Sequence, residues 1–343
     1  MTTSSLFSVD LASITQVQQL SYILQAYLPQ SIVVLGSLHH GDIDATYLNK
    51  HRSLHIWTTF PLPCLDPESR PNLFSVIALS HFNDNQFRYF CSAEASPNAL
   101  ATADEESHVQ NTITTFMHSL SARNSILDGV VIDSLFKNGP ELPAETIVFG
   151  AVHDKWISSF YPFTVKSNIC VKYIRTPNPT STSDEKRWDA LAEGTEWIIN
   201  ELREGDIDLI RSRATFPRSH DYILSRQPYS VCIRRREGDA SPVAWQLVIS
   251  DGALAMLHVE TEFRRRGLAR LCLAALEKKL GEKYRTNDSS KAELYPFKRW
   301  EHLDVVLGNE KSSGLVASTN GWKEGWRCHW IHLSSNSTPS NSI

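Results

Sequence analysis

This sequence has no apolar run of about 18 residues or more, so nothing in it predicts an ordinary membrane-spanning helix. It is sparing with cysteine. The six residues, at 64, 91, 170, 232, 272 and 328, form no Cys-x-x-Cys pair, which fits unpaired thiols in a reducing compartment better than a disulfide framework or a zinc site. Neither sign of charge dominates: 34 Lys and Arg against 38 Asp and Glu leave a formal net charge of -4, which argues against a nucleic-acid partner held by bulk charge. The start, MTTSSLFSVDLASI, has no basic segment followed by a long apolar one, so no signal peptide is expected and the cytoplasm is the expected location. Glycine is scarce too. With 15 in the chain there is neither a three-glycine dinucleotide fingerprint nor a Gly-Lys-Ser/Thr phosphate loop. What remains is 343 residues, 41% hydrophobic, with room for two packed domains and a sizeable core.

The chain divides most naturally at 176–185, where two prolines and several hydroxyl residues read as a linker. The expected organisation is an N-terminal α/β domain over 1–175, a second domain over 186–333, and a Ser/Asn-rich disordered tail over 334–343. In the first half, 12–27 has apolar residues at helical spacing and 110–121 predicts a second helix. Segments 30–35, 54–60, 74–79 and 146–152 read as strands. Alternating strands and helices point to an α/β or α+β layer. In the second half, 186–202 predicts a helix and 205–212 begins another. Segments 229–235 and 243–249 are strand-like runs joined by Arg236-Glu237-Gly238-Asp239, which is good hairpin chemistry. The polar region 281–301 reads as an insertion that shapes one side of a site.

The most informative stretch is 253–280: an apolar strand, an Arg-rich loop with one glycine, then an amphipathic helix. The loop is Arg264-Arg265-Arg266-Gly267-Leu268-Ala269, followed by Arg270. A glycine there lets the backbone approach an anion. The unpaired N–H groups and positive dipole end of the helix then face it, and guanidinium groups add charge-assisted hydrogen bonds. This is the physical logic of a pyrophosphate cradle.

Arg264-x-x-Gly267-x-Ala269 between a strand and a helix resembles the acyl-CoA-binding motif of the GNAT superfamily of N-acyltransferases. A second block, Asn309-Glu310-Lys311-Ser312-Ser313-Gly314-Leu315 followed by Gly321-Trp322, is similar to that superfamily's closing element. It follows an apolar strand-like run at 303–307, as that fold requires. Pro242-Val243-Ala244-Trp245 and the strand pair after it look like the glycine N-acyltransferase-like branch. The resemblance implies a C-terminal GNAT fold, with a mixed, mostly antiparallel central sheet flanked by helices, and a degenerate GNAT-like copy in the N-terminal half. It implies acyl-CoA or acetyl-CoA as co-substrate, with no metal, and direct transfer of the acyl group to the amine of a small molecule or amino acid. The donor would lie between splayed strands at 253–259 and 302–307. The backbone of Leu257, His258 and Val259 would meet the thioester oxygen, residues Arg264 to Arg270 the pyrophosphate, and Asn309 and Ser312 the pantetheine arm.

The chain also departs from that pattern. Where the branch has a catalytic Glu after the turn glycine stands Ala253, and where many GNAT enzymes have a Tyr acid in the closing helix stands Val316. The substitute bases on offer are His258, Asp251, Glu260 and Asp304. Ideal strand alternation would point His258 to the face opposite Ala253 and Ala255, unless a bulge changes the parity. At pH 7 an amine with pKa near 8 is roughly 10% neutral and one near 10.4 well under ~0.1%, so an enzyme without a strong base favours a low-pKa amine. Small-molecule and α-amino acceptors are therefore expected over lysine side chains, with no nucleic-acid or membrane partner; the oligomeric state is left open. Two other readings stand beside this one: a CoA-binding protein without turnover, and, more weakly, a protein N-acetyltransferase. His39-His40 with Asp42 and Asp44 reads as a polar turn rather than a metal site.

Overall fold

The computed structural model describes residues 5–40, 54–64, 70–80, 85–96, 100–124, 127, 130, 142–143, 145–176, 196–214, 216, 218–238, 241–284 and 300–334. They form two compact units, 1–172 with 325–343 and 173–324. The polar run 177–185, the pair Asp42 and Asp44, most of the region 281–301 and the tail from 335 lie outside the described residues, as do the side chains of His39 and His40.

Elements follow one another in the same order twice. The first series is β1 (Phe7–Ser8), α1 (Ile14–Gln25), α2 (Ile32–His40), β2 (Leu54–Thr58), β3 (Ser75–Ser80), β4 (Gln86–Cys91), α3 (Ala103–Ser121), β5 (Thr146–His153), α4 (Ile157–Phe160) and β6 (Thr164–Arg175). The second is β7 (Trp197–Asn200), α5 (Ile207–Arg213), α6 (His220–Ser225), β8 (Ser230–Arg235), β9 (Pro242–Val248), β10 (Leu254–Val259), α7 (Leu268–Tyr284), β11 (Glu301–Val306), α8 (Glu310–Ala317) and β12 (Lys323–Ser334). Strand, two helices, three strands, helix, strand, helix, strand: among the described residues the element order repeats, in an α/β fold with a mixed sheet and flanking helices.

In the first unit the sheet runs β1-β2-β3-β4-β5-β12-β6. Strands β2, β3 and β4 are antiparallel; β4 and β5 pair in parallel over Gln86–Arg88; β12 pairs antiparallel with β5. The last strand of the second series therefore completes the sheet of the first unit. Its core is aromatic: Phe87 stacks on Phe149 at 5.0 Å, and Phe116 and Phe160 meet Phe149 edge-on at 6.0 and 5.6 Å. In the second unit β7, β8, β9 and β10 form an antiparallel sheet. One face packs Trp245, Leu247, Ile249 and Ala253 against Ile207, Ile210 and Ile223 of α5 and α6; the other packs Ala244 and Ile233 against Leu268, Leu271 and Cys272 of α7.

Two sequence expectations change. Segment 30–35 is not a strand but the start of α2, in which Ile32, Val33, Val34, Leu35 and Leu38 are all buried. A helix wrapped on all sides reads as a continuous apolar run, as a buried strand does. The described end of 186–202 is likewise extended: Trp197, Ile198 and Ile199 have β-branched or aromatic side chains and pair with Arg235, Arg234 and Ile233. Strands β4, β6 and β12 add to those the sequence predicts.

Burial in the first unit has a titration consequence. Glu94 is buried; its Oε1 accepts from the Cys91 amide at 2.9 Å and from Trp156 Nε1–H at 3.0 Å. Burial pushes its carboxyl up to about 8, against the pull of those two donors and of the Lys155 ammonium. The folded state therefore holds a proton the unfolded chain releases between about pH 4.5 and 8, and stability falls as pH rises through that window. Glu94→Gln keeps both accepted hydrogen bonds and cannot ionise. Thermal melts at pH 5 and 8.5 should show a smaller pH-dependent loss in the variant than in the native chain; equal losses would contradict the assignment.

Candidate functional site

Strand β10 carries the first feature of the site. Ala255 pairs with Leu247 of β9, but the next pair is His258 with Trp245, so three steps on β10 oppose two on β9. The extra residue is accommodated by Met256 at φ +56, a left-handed conformation costly for a side chain without local compensation. This bulge overturns the ideal alternation. His258 comes to the same face as Ala255 and stacks on the Trp245 ring at 4.6 Å. Leu257 and Val259 turn instead toward the cluster that includes Leu268 and Leu271 of α7. On its other side β10 ends its sheet. It runs alongside β11 without joining it in a hydrogen-bonded ladder, whereas the equivalent strands of the first unit, β4 and β5, are paired.

Beyond β10 the chain makes a short turn at Thr261–Phe263 and enters the Arg-rich loop. Two residues there are left-handed, Arg265 at φ +64 and Gly267 at φ +81, and no atom lies within 4 Å of where a Gly267 side chain would begin. The space in front of the loop is open. Leu271 N–H closes the first helical turn on Gly267 C=O at 3.0 Å, so the amides of Leu268, Ala269 and Arg270 precede any intrahelical acceptor. The first turn of α7 holds no acidic residue. Leu268 anchors the turn in the core while Arg264, Arg265, Arg266 and Arg270 stay exposed. Three of these guanidiniums are tethered: Arg264 Nε donates to Val259 C=O at 3.0 Å, Arg266 Nη1 to Glu196 at 3.2 Å, and Arg270 Nη2 to Ser318 Oγ at 2.9 Å.

The first unit shows what this loop is not. There α3 begins with Thr102, whose hydroxyl accepts from the Glu105 amide at 3.3 Å while the Glu105 carboxylate accepts from the Thr102 amide at 2.9 Å. Asp104, Glu105 and Glu106 fill its first turn. That helix start satisfies its own donors and sets three acids against its dipole, the opposite of the arginine-rimmed start of α7.

The four candidate bases are distributed unevenly. His258 and Glu260 are neighbours, with Nε2 and Oε2 3.7 Å apart, and Glu260 also receives Arg213 Nε at 3.0 Å. Partial burial lowers the His258 pKa below the usual 6.5; Glu260 opposes that shift, and Arg264 and Arg213 add to it. The imidazole is thus neutral at pH 7. Asp251 is buried in the turn before β10; its Oδ1 accepts from the Ala253 amide at 3.1 Å and its carbonyl lies 3.1 Å from His302 Nε2, so it shapes the turn. Asp304 is half-buried on β11. Asn309 caps α8, its Oδ1 accepting from the Ser312 amide at 3.2 Å. Val316 and Ala253 are both buried, which removes position 316 as a source of an acid. Sequence reasoning missed Arg213 and the Trp245 platform. Arg213 carries no local signal, but Trp245 stands in the Pro-Val-Ala-Trp block and marks the strand beneath the bulge.

Gly321, at φ +83, has Arg175 Cδ 3.2 Å from the place of its missing side chain, which lets Arg175 lie over the Trp322 ring at 5.0 Å while pairing with Glu301 and with Glu277 at 2.9 Å. The Gly-Trp pair thus clamps the start of β11 to α7. Among the described residues no helix is long and apolar enough to cross a membrane, and no group of three His, Cys, Asp or Glu side chains could hold a metal ion.

Compared as a sequence, the chain matches no family model and none of the curated proteins. Compared as a structure, it is similar to a crystal structure of a Drosophila protein at 14% identity, over 97% of this chain and 99% of that one, with a TM-score of 0.59. Other similar structures include a tandem GNAT protein from the clavulanic acid biosynthesis pathway (12% identity, 97% and 100% covered, TM-score 0.46) and a putative GNAT-family acetyltransferase from Novosphingobium aromaticivorans (14%, 60% and 79%, 0.38). The fold is shared across the full length of the Drosophila protein, and GNAT acetyltransferases are among the structural neighbours of this chain.

Proposed function

We propose that the second unit is an acyl-CoA-dependent N-acyltransferase acting on a small amine or amino acid, and that the first unit is a copy without a donor site. One observation carries this reading: an open, acid-free helix start at Gly267 with four arginines on its rim, directly after a strand bulged at Met256 and unpaired with β11. The pyrophosphate would rest on the amides of Gly267 to Arg270, with Arg264, Arg265, Arg266 and Arg270 around it. Asn309 and Ser312 would border the pantetheine arm. A carbonyl placed between β10 and β11 would meet a backbone N–H of the stretch Leu257, His258 and Val259, a preorganised donor for the charge that develops on oxygen.

The reaction then needs little more than alignment. The acceptor nitrogen attacks the thioester carbon, the C–N bond forms, the C–S bond breaks, and the amine proton leaves through His258 while the thiolate departs. Holding amine and thioester together is worth up to ~10⁵–10⁸ M in effective molarity. A neutral base adds a further ~10²–10⁴-fold. The placement of His258 on the Trp245 face favours turnover over a CoA-binding protein without activity; buried Ala253 and Val316 keep that second reading in view.

The test is free-thiol release from acetyl-, benzoyl- and octanoyl-CoA, each offered with amino acids, small amines and lysine peptides. The double variant Arg266→Glu with Gly267→Glu places two anions at the helix start and a side chain at φ +81. It should weaken CoA binding by about a hundredfold or more, since charge-assisted hydrogen bonds contribute roughly 1.5–3 kcal/mol each. Acceptor-dependent release lost in the variant supports the enzyme. CoA binding without release favours the inactive reading, no binding at all sinks both, and preference for lysine peptides would turn the acceptor assignment toward proteins.

A further inference from the structure

We propose that the first unit carries a separate nucleophilic site, Ser167–His329–Asp154, competent to take an acyl group from an activated ester and release it to water. The three residues come from sequence positions 162 and 175 apart and meet on three consecutive strands of one sheet. His329 lies on β12; Asp154 follows the end of β5 on one side of it, and Ser167 stands on β6 on the other. His329 Nε2 is 2.6 Å from Asp154 Oδ1, and its Nδ1 is 3.0 Å from Ser167 Oγ.

The chemistry follows from which group can donate. A carboxylate only accepts, so Nε2 carries the proton and gives it to Asp154. Nδ1 is then left with its lone pair, and the Ser167 hydroxyl donates to it. Such an arrangement polarises a serine: a buried imidazole in a fixed tautomer on one side, a half-exposed carboxylate holding it from behind, and an exposed hydroxyl in front. The roles separate by exposure. The nucleophile faces solvent, the base is shielded, and Asp154 is a positioning residue that also stabilises the imidazolium as it forms.

In the acylation step Ser167 Oγ bonds to the carbonyl carbon of the ester, its proton passes to His329 Nδ1, and the C–O bond to the alcohol breaks as that proton reaches the leaving oxygen. Water, deprotonated by the same nitrogen, then attacks the acyl-serine and releases the carboxylic acid. Because Ser167 stands on the open surface of the strand, small activated esters are the substrate class. This site shares no residue with the one in the second unit, so the two proposals stand or fall independently.

The full chain should be treated with a fluorophosphonate probe and, separately, with p-nitrophenyl acetate. Peptide mass spectrometry should place the phosphonate on Ser167, and Ser167→Ala, an exposed change, should abolish labelling and reduce ester hydrolysis to the solvent rate. Asp154→Asn should slow labelling by about a hundredfold or more. Asp154→Glu, which keeps a carboxylate acceptor for Nε2–H, should restore labelling toward the native rate, while the melting temperature of both variants stays within a degree or two. Absence of label, label on another residue, or labelling undiminished in Ser167→Ala overturns the proposal; so does an Asp154→Asn variant that labels at the native rate, or one that Asp154→Glu does not surpass.

Discussion

Replacing His258 with glutamine is expected to lower kcat/KM for amine acylation by about 10²–10⁴-fold, with CoA affinity unchanged. The split follows from position. His258 reaches the acceptor face only through the bulge at Met256, while the proposed pyrophosphate contacts lie at Gly267 to Arg270, one turn and one loop further on. Glutamine retains a polar planar group over Trp245 but cannot take a proton. The pH profile is the sharper check. The imidazole titrates below its usual 6.5 because burial disfavours the cation more than Glu260 favours it. The acid limb of kcat/KM should therefore fall below pH 6.5 in the native chain and move lower still in Glu260→Gln, which removes the main influence raising the pKa. A His258→Gln enzyme within a few-fold of native, or an acid limb that Glu260→Gln leaves in place, would assign proton transfer to another group.

The parts of the candidate site legible in the sequence are those whose local structure is set by neighbouring residues. Arg264 to Arg270 needed only a glycine, a small residue and a helix behind them, and Asn309 needed only the α8 amides it caps. The fold class was legible for the same reason, since β5, β8, β9 and β10 announce themselves by apolar runs between turn residues. What stayed hidden depends on distant partners. Nothing in Met256 itself signals a left-handed residue, yet that single φ decides which way His258 faces. Strand β12 follows the second series in sequence but finds its partner in β5. The repeat is masked because its two helix starts have opposite chemistry, Thr102 with three acids in one and Gly267 with arginines in the other.

The second large effect is on stability, at the corner where β7, β8 and α5 meet. Arg234 of β8, almost wholly buried, grips the Asp206 carboxylate through Nη1 at 2.9 Å and Nη2 at 2.5 Å, and Asn200 Oδ1 of β7 through Nε at 2.9 Å. Asp206 also accepts from the Arg203 amide at 2.6 Å, just ahead of α5. Arg234→Met removes the cation but not the carboxylate, and an uncompensated buried charge costs about 3–5 kcal/mol, a large part of the roughly 5–15 kcal/mol that holds a domain together. Adding Asp206→Leu to Arg234→Met should recover part of that cost, since two apolar groups cost less than one unpaired ion. Calorimetry of both variants at pH 7.5 separates these terms. A single variant as stable as the native chain at pH 7.5 would show the pair to be dispensable, and a double variant no better than the single would place the cost in packing. The same corner sets the start of α5, whose last residue, Arg213, reaches Glu260 beside His258. Loosening it should therefore also raise KM for the acceptor at temperatures where the fold still holds, which is how a clamp remote from the reacting atoms would come to govern them.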